Sequence, residues 1–457
     1  MVLKPLKSQS VEVFYAEVVD KGISLCSREH TLSTGKQMAG LTIVEKVLAR
    51  ASSLLSVAPG EVVTAKVDLA AANDITAPPA FRLFLEAGGS RVFDPEKIAV
   101  VAGRHAPFRD AETAERVGWL SRFCGDQGIE RIFTNGEGMD HVLLPESGII
   151  EPGMLVANGD SHAATIGALG AIGIPFGSTE MSYVFAFGET WFRVPDTILV
   201  EYVGVPMRGT VSKDMVLALA KQIGTDGANG AALEFAGEAV AAMSISERFT
   251  LPNMAIELGA MTGVIGTDKK TRSYLERNGC SSVAGINADG DAMYARSIRI
   301  DTSELEPQIA IPDSPDSVVA VSQTGDVALT QINIGSCTNG RSADLRQAAE
   351  ILKGRRVAPG VRLHVTPATK KIYTQALREG VIQDLNEAGA IINPPGCGAC
   401  AGWHMGALGP DDVCLATHNR NFKGRMGHRD AQIYLCSPYV AAASALTGRI
   451  TDPREFL

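Results

Sequence analysis

Residues Val327–Gly354 read "VALTQINIGSCTNGRSADLRQAAEILKG". The first part is strand-like, rich in β-branched and apolar residues as far as Ile334. After the glycine-bounded "GSCTNG", Leu345, Ala348, Ala349 and Leu352 recur at the i, i+3, i+4, i+7 spacing of one helix face. Strand, tight turn and helix in that order form half of a βαβ unit, which builds parallel sheets. Cys337 falls in the turn, at the strand end where ligands gather in open α/β folds.

The same rhythm extends along the chain. Helix-like stretches at Met38–Ser53 and Ala111–Gly128 alternate with the short β-branched runs "KIAVVAG", "RIFTNG" and "GMLVANGD". The reading is an α/β protein in three zones, 1–205, 206–325 and 326–457. The middle zone opens on the helix pattern "SKDMVLALAKQIG", carries a Gly/Ala-rich turn through "GAALEFAGEA" and ends in a polar, Pro-containing passage. The third adds two more strand–turn–helix units and a final helix in "CSPYVAAASALTG". At 457 residues the chain exceeds what one core supports, so several domains are expected.

Bulk properties narrow the function classes. Hydrophobic residues make up 45% and charged residues 20%, ordinary for a globular protein. A net charge of −9 without Lys/Arg runs argues against nucleic-acid binding, so an anionic ligand needs a local arginine cluster. No apolar run reaches the roughly 18 residues of a membrane helix, and "MVLKPLKSQS" lacks a signal-peptide core, so a cytoplasmic protein is expected. Eight cysteines there favour thiolate chemistry, metal binding or burial over disulfides.

Five constellations are candidates for chemistry. "NPPGCGACAG", Asn393–Gly402, holds Cys397 and Cys400 in a stiff turn, and with Cys337 gives three cysteines at strand ends. A structural zinc site closes with four ligands, and His404 is the only neighbour able to complete one. An iron–sulfur cluster with one iron free of protein ligands suits three thiolates better, and a buried C-x-x-C unrelated to Cys337 is the plain alternative. Upstream, His141 follows a Gly-rich turn, and "GDSH" sets Asp160, Ser161 and His162 after a strand, ahead of a small-residue helix with Gly167, Gly170 and Gly173. Asp160 either orients an imidazole for acid–base work or caps that helix. In "HNRNFKGRMGHRD", Asn419, Arg420 and Arg425 form a loop fit to grip carboxylates, or a solvated basic surface. Glu234 and Glu257 stand in apolar, helix-like surroundings, so each partners a histidine or points to solvent. His105, after a β-run and beside Arg104, is a weaker candidate.

Taken together and in this order, "TIVEKVLARAS", "DITAPPAF", "GDSHAATIGALGA", "ALEFAGEA", "LPNMAIELGA", "GSCTNGR", "GCGACAG" and "NRNFKGR" resemble the aconitase superfamily over about residues 40 to 450. The resemblance is strongest to its isopropylmalate dehydratase large-subunit branch, with homoaconitase and dimethylmalate dehydratase relatives. It implies three α/β/α domains around a central [4Fe–4S] cluster held by Cys337, Cys397 and Cys400, with one iron open to substrate. It implies a hydro-lyase that removes and re-adds water on a hydroxy di- or tricarboxylic acid. His105, Asp160 with His162, and His141 with Glu234 would then be the acid–base groups. Arg420, Arg425, Asn419 and Ser161 would bind substrate.

The resemblance also implies a separate small subunit, whose swivelling domain brings the serine base that takes the C–H proton. 3-Isopropylmalate is the substrate it points to first; dimethylmalate, citramalate, maleate and homoaconitase-type substrates share the chemistry, and an RNA-binding, non-catalytic relative is the reading from another class. Two departures stand out. Arg104 precedes His105 where the family usually has Asp, which leaves His105 without its usual carboxylate. The segment before residue 38 is long and contains "CSREH", a string the family carries in its small subunit and which stands here by coincidence.

Overall fold

The strand–turn–helix reading of the quoted stretch is right. Gln331–Gly335 is a strand buried throughout, and Ser342–Leu352 is a helix that buries Leu345, Ala348, Ala349 and Leu352. These coordinates are a computed structural model, and the residues it describes are 40–457. The "CSREH" segment lies outside them.

The first sheet contains β1 (Leu69–Asn73), β2 (Ile98–Val101), β3 (Arg131–Phe133), β4 (Leu155–Asn158) and β5 (Ile172–Pro175), all parallel, in the order β3-β2-β1-β4-β5. Strand β1, "LAAAN", is buried along its whole length, because alanine on both faces lets helices pack closely. Under one face, Phe81 stacks on Phe123 and Phe185 with centroids 4.3 and 4.4 Å apart. Removing each such ring from water stabilises the fold by about 1.5–3 kcal/mol.

The second sheet, also parallel, contains β6 (Thr197–Val203), β7 (Ala232–Ala236), β8 (Thr262–Ile265) and β9 (Arg296–Asp301) in the order β8-β7-β6-β9. The third contains β10 (Gln308–Ala310), β11 (Val318–Ala320), β12 (Gln331–Gly335), β13 (Arg362–Thr366), β14 (Ile391–Ile392), β15 (Val413–Ala416) and β16 (Gln432–Leu435). Its order is β11-β10-β16-β15-β12-β13-β14, parallel except for the β10 and β11 pairings. A small antiparallel ribbon, Val62–Lys66 with Glu189–Arg193, completes the strands of the described residues.

Two expected borders move. Thr197–Val203 opens the second sheet, so the break placed at 205 comes too late. Gln308–Ala310 and Val318–Ala320 pair into the third sheet, so the break at 325 is also late. Apolar runs mark strands but do not say which distant partner each strand will choose.

Local signals explain the element ends. Thr42 caps the helix Ile43–Ala51 by accepting from Glu45 N, while the Glu45 carboxylate accepts from Thr42 N. That helix is shorter than the Met38–Ser53 reading. The small-residue stretch after "GDSH" is a 3-10 helix, Ala163–Leu169, and Gly173 belongs to β5. A β-carbon on Gly167 would lie 1.8 Å from the Gly263 carbonyl oxygen, so glycine there lets this 3-10 helix pack directly on β8 of the second sheet. Among the described residues, no helix is long and apolar enough to cross a membrane.

Candidate active site

The five-strand order β3-β2-β1-β4-β5 recurs inside the third sheet as β14-β13-β12-β15-β16. Each has a switch point where successive connections leave in opposite directions, between β1 and β4 and between β12 and β15. Such points open a crevice at the C-terminal strand ends. Asp74 follows β1, and Asp160 to His162 follow β4. Cys337 follows β12, and Asn419 and Arg420 follow β15. The two crevices meet, because Cys397 N donates to the Arg104 carbonyl at 3.4 Å. Gly396, with φ +151°, permits that approach, since a β-carbon there would fall 2.2 Å from the same oxygen.

The three candidate cysteines converge. Asn419 bridges two of them: its Nδ2 lies 3.7 Å from Cys337 Sγ, and its Oδ1 is 3.8 Å from Cys400 Sγ. Asn253 Nδ2 also points at Cys337 Sγ, at 3.6 Å, and Arg425 Nη2 at Cys400 Sγ, at 3.5 Å. All three thiols are buried and none is in a disulfide. The Cys397 thiol donates to Cys400 and, with Arg425 beside it, holds Cys400 well below the ordinary thiol range. Burial alone would raise Cys337, but His141 brings it down to about 7. Ser336, immediately before Cys337, holds φ +63°, a strained conformation for a residue with a side chain.

His141 and His162 border Cys337, His105 follows the Arg104 whose carbonyl meets Cys397 N, and each of the three imidazoles is oriented by a carboxylate. His105 Nδ1 is 2.8 Å from Asp74 Oδ2, and His141 Nδ1 is 2.9 Å from Asp140 Oδ1. His162 Nε2 is 2.9 Å from Glu257 Oε1. Burial works against charging His162, yet Glu257 and Asp160 raise it to about 9. Burial likewise opposes charge on His141, but the Cys337 thiolate and Asp140 raise it well above the ordinary value.

Arg104 joins the set. Its Nε donates to Asp74 at 2.8 Å and its Nη1 to Asp160 at 2.7 Å. One buried guanidinium thus ties the carboxylate of His105 to the carboxylate whose Oδ1 accepts from His162 N at 2.8 Å. Burial alone would raise Asp160; hydrogen bonding by His162 and the charges of His141 and Arg104 hold it well below the usual carboxylate range.

On the opposite side, Arg420 Nε donates to Glu257 Oε1 at 2.8 Å and its Nη1 reaches Ser161 Oγ at 3.4 Å. Ser161 Oγ is also 3.1 Å from His162 Nδ1. The site therefore gathers His105, His141, Asp160, Ser161, His162, Asn419, Arg420, Arg425 and the three cysteines.

Three expectations need correction. Glu234 is not the partner of His141. It lies in strand β7 rather than in a helix, and its oxygens accept from Tyr294 Oη at 2.7 Å and Ile43 N at 3.3 Å. Its burial reflects service to the end of the helix Ile43–Ala51. Second, the ring of His162 is held chiefly by Glu257, while Asp160 takes its backbone N–H and stands 3.8 Å from Nδ1. Third, His105 is not short of a carboxylate: Asp74, from the neighbouring strand end, fills the role that Arg104 cannot. Asp74 and Asp140 were missed although both lay in view, in "NDITAPPAF" and directly before His141. Glu257 was noticed only as an apolar-surrounded acid. His404 is no fourth thiol-site partner, since its Nε2 is bonded to the Pro107 carbonyl at 2.9 Å.

The residues suit an iron–sulfur group. Amide and guanidinium N–H groups aimed at sulfur stabilise thiolates and sulfides. His141 Nε2, Glu257 Oε2, His418 Nδ1 and Arg425 Nε are buried in the same region without a hydrogen-bond partner. Buried polar atoms rarely stay unpaired, so their gathering marks room for a further polar group.

Comparison with known proteins identifies the relatives of this chain. The pattern of the aconitase family (aconitate hydratase) matches residues 45–330 and 322–448. The 3-isopropylmalate dehydratase large subunit 1 of Methanopyrus kandleri is 47% identical over 92% of this chain and 100% of its own length. The large subunit 1 of the same name from Pyrococcus furiosus is 45% identical over 92% of this chain and 99% of its own. The 3-isopropylmalate dehydratase large subunit of Moorella thermoacetica is 46% identical over 91% and 99% respectively. With near-complete matches at this identity and the family pattern spanning both crevices, the chain belongs to the aconitase family.

Proposed function

We propose that this chain is the large subunit of a hydro-lyase acting on 3-isopropylmalate, reversibly removing and re-adding water on a hydroxy diacid. The observation that carries the reading is the convergence of Cys337, Cys397 and Cys400 beside three carboxylate-oriented imidazoles and an arginine pair. Relatives bearing the 3-isopropylmalate dehydratase name support the substrate. The carboxylate found for His105 removes the reason to expect an unusual substrate.

Cys337, Cys397 and Cys400 would hold a [4Fe–4S] cluster, which when bound supplies an iron with an open position, a Lewis acid for hydroxyl and carboxylate oxygens. The protein's own groups do the rest. Asp74 fixes His105 with Nδ1 toward the carboxylate, leaving Nε2 to carry a proton to or from the departing hydroxyl. Glu257 holds His162 as imidazolium, so that a positive charge faces the oxygen on which negative charge develops. Arg420, bonded through Nε and Nη1 to Glu257 and Ser161, and Arg425, whose Nη2 points at Cys400, would offer their remaining N–H groups to substrate carboxylates, and Ser161 adds a hydroxyl between Arg420 and His162.

Proton removal from carbon is assigned to a small subunit with a swivelling domain and a serine base. The working enzyme is then a heteromer, placed in the cytoplasm, where thiols remain reduced. The test is anaerobic co-expression with a small subunit, followed by an ultraviolet assay of alkene formation on 3-isopropylmalate, dimethylmalate, citramalate, malate and homocitrate. Turnover led by 3-isopropylmalate supports the proposal, and turnover of another acid alone reassigns the substrate. A complex that carries a cluster and dehydrates none of them refutes the activity.

A further inference from the structure

Among the described residues, Lys213 is a buried cation outside the acid–base set with no role in the chemistry above. Lys213 lies in the first turn of the helix Ser212–Ile223 and is completely buried. No carboxylate forms an ion pair with it among the described residues. Its Nζ instead donates to two consecutive main-chain carbonyls, those of Thr417 (2.9 Å) and His418. These lead directly from β15 into Asn419 and Arg420, the loop of the third-sheet crevice.

A buried ammonium bonded only to carbonyls is an unfavourable arrangement unless it fixes something. Here the cation fixes the direction of a loop. Two adjacent carbonyls turned toward the helix Ser212–Ile223 leave the side chains of Asn419 and Arg420 directed to the cysteines and to Glu257. Asp214, the next residue, fastens the base of this anchor by accepting from Val211 N at 2.9 Å and Gln308 N at 2.8 Å.

The geometry points to Lys213 as a positioning residue for substrate carboxylate recognition, acting through the Thr417–Asn421 loop rather than on substrate. The inference rests on the carboxylate-binding role given above to Arg420. Charged or titratable groups facing the ammonium are Asp214 on its own helix, Glu257 from the 3-10 turn Ile256–Leu258, Asp344 from the helix Ser342–Leu352, Cys436 after β16 and His418 in the loop itself. Burial outweighs the acidic members of this set and lowers Lys213 to about 8. Once neutral, the amine holds two carbonyls less firmly, so substrate affinity should weaken in mildly alkaline solution.

The test uses the complete complex with its small subunit, cluster intact. Lys213→Met should raise KM for the hydroxy diacid about tenfold while kcat changes less than about threefold, the pattern of lost binding rather than lost chemistry. KM of the unmodified enzyme should rise above about pH 8, and that rise should be absent in Lys213→Met. In an Arg420→Lys background the substitution should add little, since both act on one contact. Lys213→Gln, which keeps N–H donors without the charge, should give an intermediate KM and serves if the methionine variant does not fold. An unchanged KM in a folded variant, or an unchanged KM with a fall in kcat alone, overturns the proposal. If the complex turns over no hydroxy acid, the assigned activity fails, and amide hydrogen exchange at Asn419–Asn421 decides the anchor separately. Faster exchange in Lys213→Met supports it, and identical exchange removes it.

Discussion

Replacing Glu257 by Gln separates this account from the one the sequence first suggests. One oxygen, Oε1, accepts from His162 Nε2 at 2.9 Å and Arg420 Nε at 2.8 Å. A hydrogen bond to a charged group contributes about 1.5–3 kcal/mol, against about 0.5–1.5 for a neutral one. Removing the charge while keeping the shape therefore costs about 2–3 kcal/mol across the two bonds. If both are realised in the transition state, kcat/KM falls about 30- to 150-fold. His162, raised to about 9 chiefly against burial by Glu257, should move back toward its ordinary value near 6.5. Because its folded value lies above its unfolded one, its stabilising contribution is complete below about pH 6.5 and fades as pH rises through about 9.

The assay is the pH profile of kcat/KM for the cluster-loaded complex, with visible absorption recorded to verify cluster content. The basic limb should shift acidward by about two pH units in Glu257→Gln, with KM also raised through Arg420. Glu234→Gln is the internal control. Its oxygens serve Tyr294 and Ile43 N, so activity should stay within about threefold while the melting temperature falls. An unshifted profile in Glu257→Gln, or a larger loss in Glu234→Gln, refutes the reassignment of the carboxylates.

Two further outcomes follow from buried charges. Arg104→Met leaves Asp74 and Asp160 buried without their cation, a change that costs about 3–5 kcal/mol, so it should lower the melting temperature and cut turnover at least a hundredfold. Retained activity would mean that Arg104 is dispensable to the imidazole network. Glu146, raised by burial to about 6 despite its bond from Thr369, favours the protonated carboxyl in the folded chain. Its own contribution to stability should therefore decline by about 2 kcal/mol as pH rises from below 4.5 to 7, and Glu146→Gln should remove that share of the slope measured by denaturant.

The sequence carried the secondary structure and the candidate site residues, because both depend on local signals. Periodicity marked Gln331–Gly335 and Ser342–Leu352, and glycine-rich turns placed Cys337, Cys397, Cys400, Asp160 and His162 at strand ends. Pairings between distant segments were not legible. Glu257 and Glu234 look alike in sequence, since both are acids among apolar residues, and only the sheet order decides which one meets a histidine. Strand β7 directs Glu234 toward Ile43 and Tyr294, while the 3-10 turn Ile256–Leu258 carries Glu257 to His162 and Arg420. Asp74 escaped notice for the same reason: its partner, His105, sits on the next strand end of a parallel sheet, about thirty residues along the chain.

The proposed site would hold its cluster through three sulfurs and leave one iron free for substrate. The deciding measurement is anaerobic reconstitution followed by iron counting and Mössbauer spectroscopy, with and without the hydroxy diacid. About four irons per chain are expected, one of whose signals changes on substrate addition, with loss of the cluster in Cys337→Ser. A full iron complement in Cys337→Ser, or four iron signals indifferent to substrate, would contradict this reading.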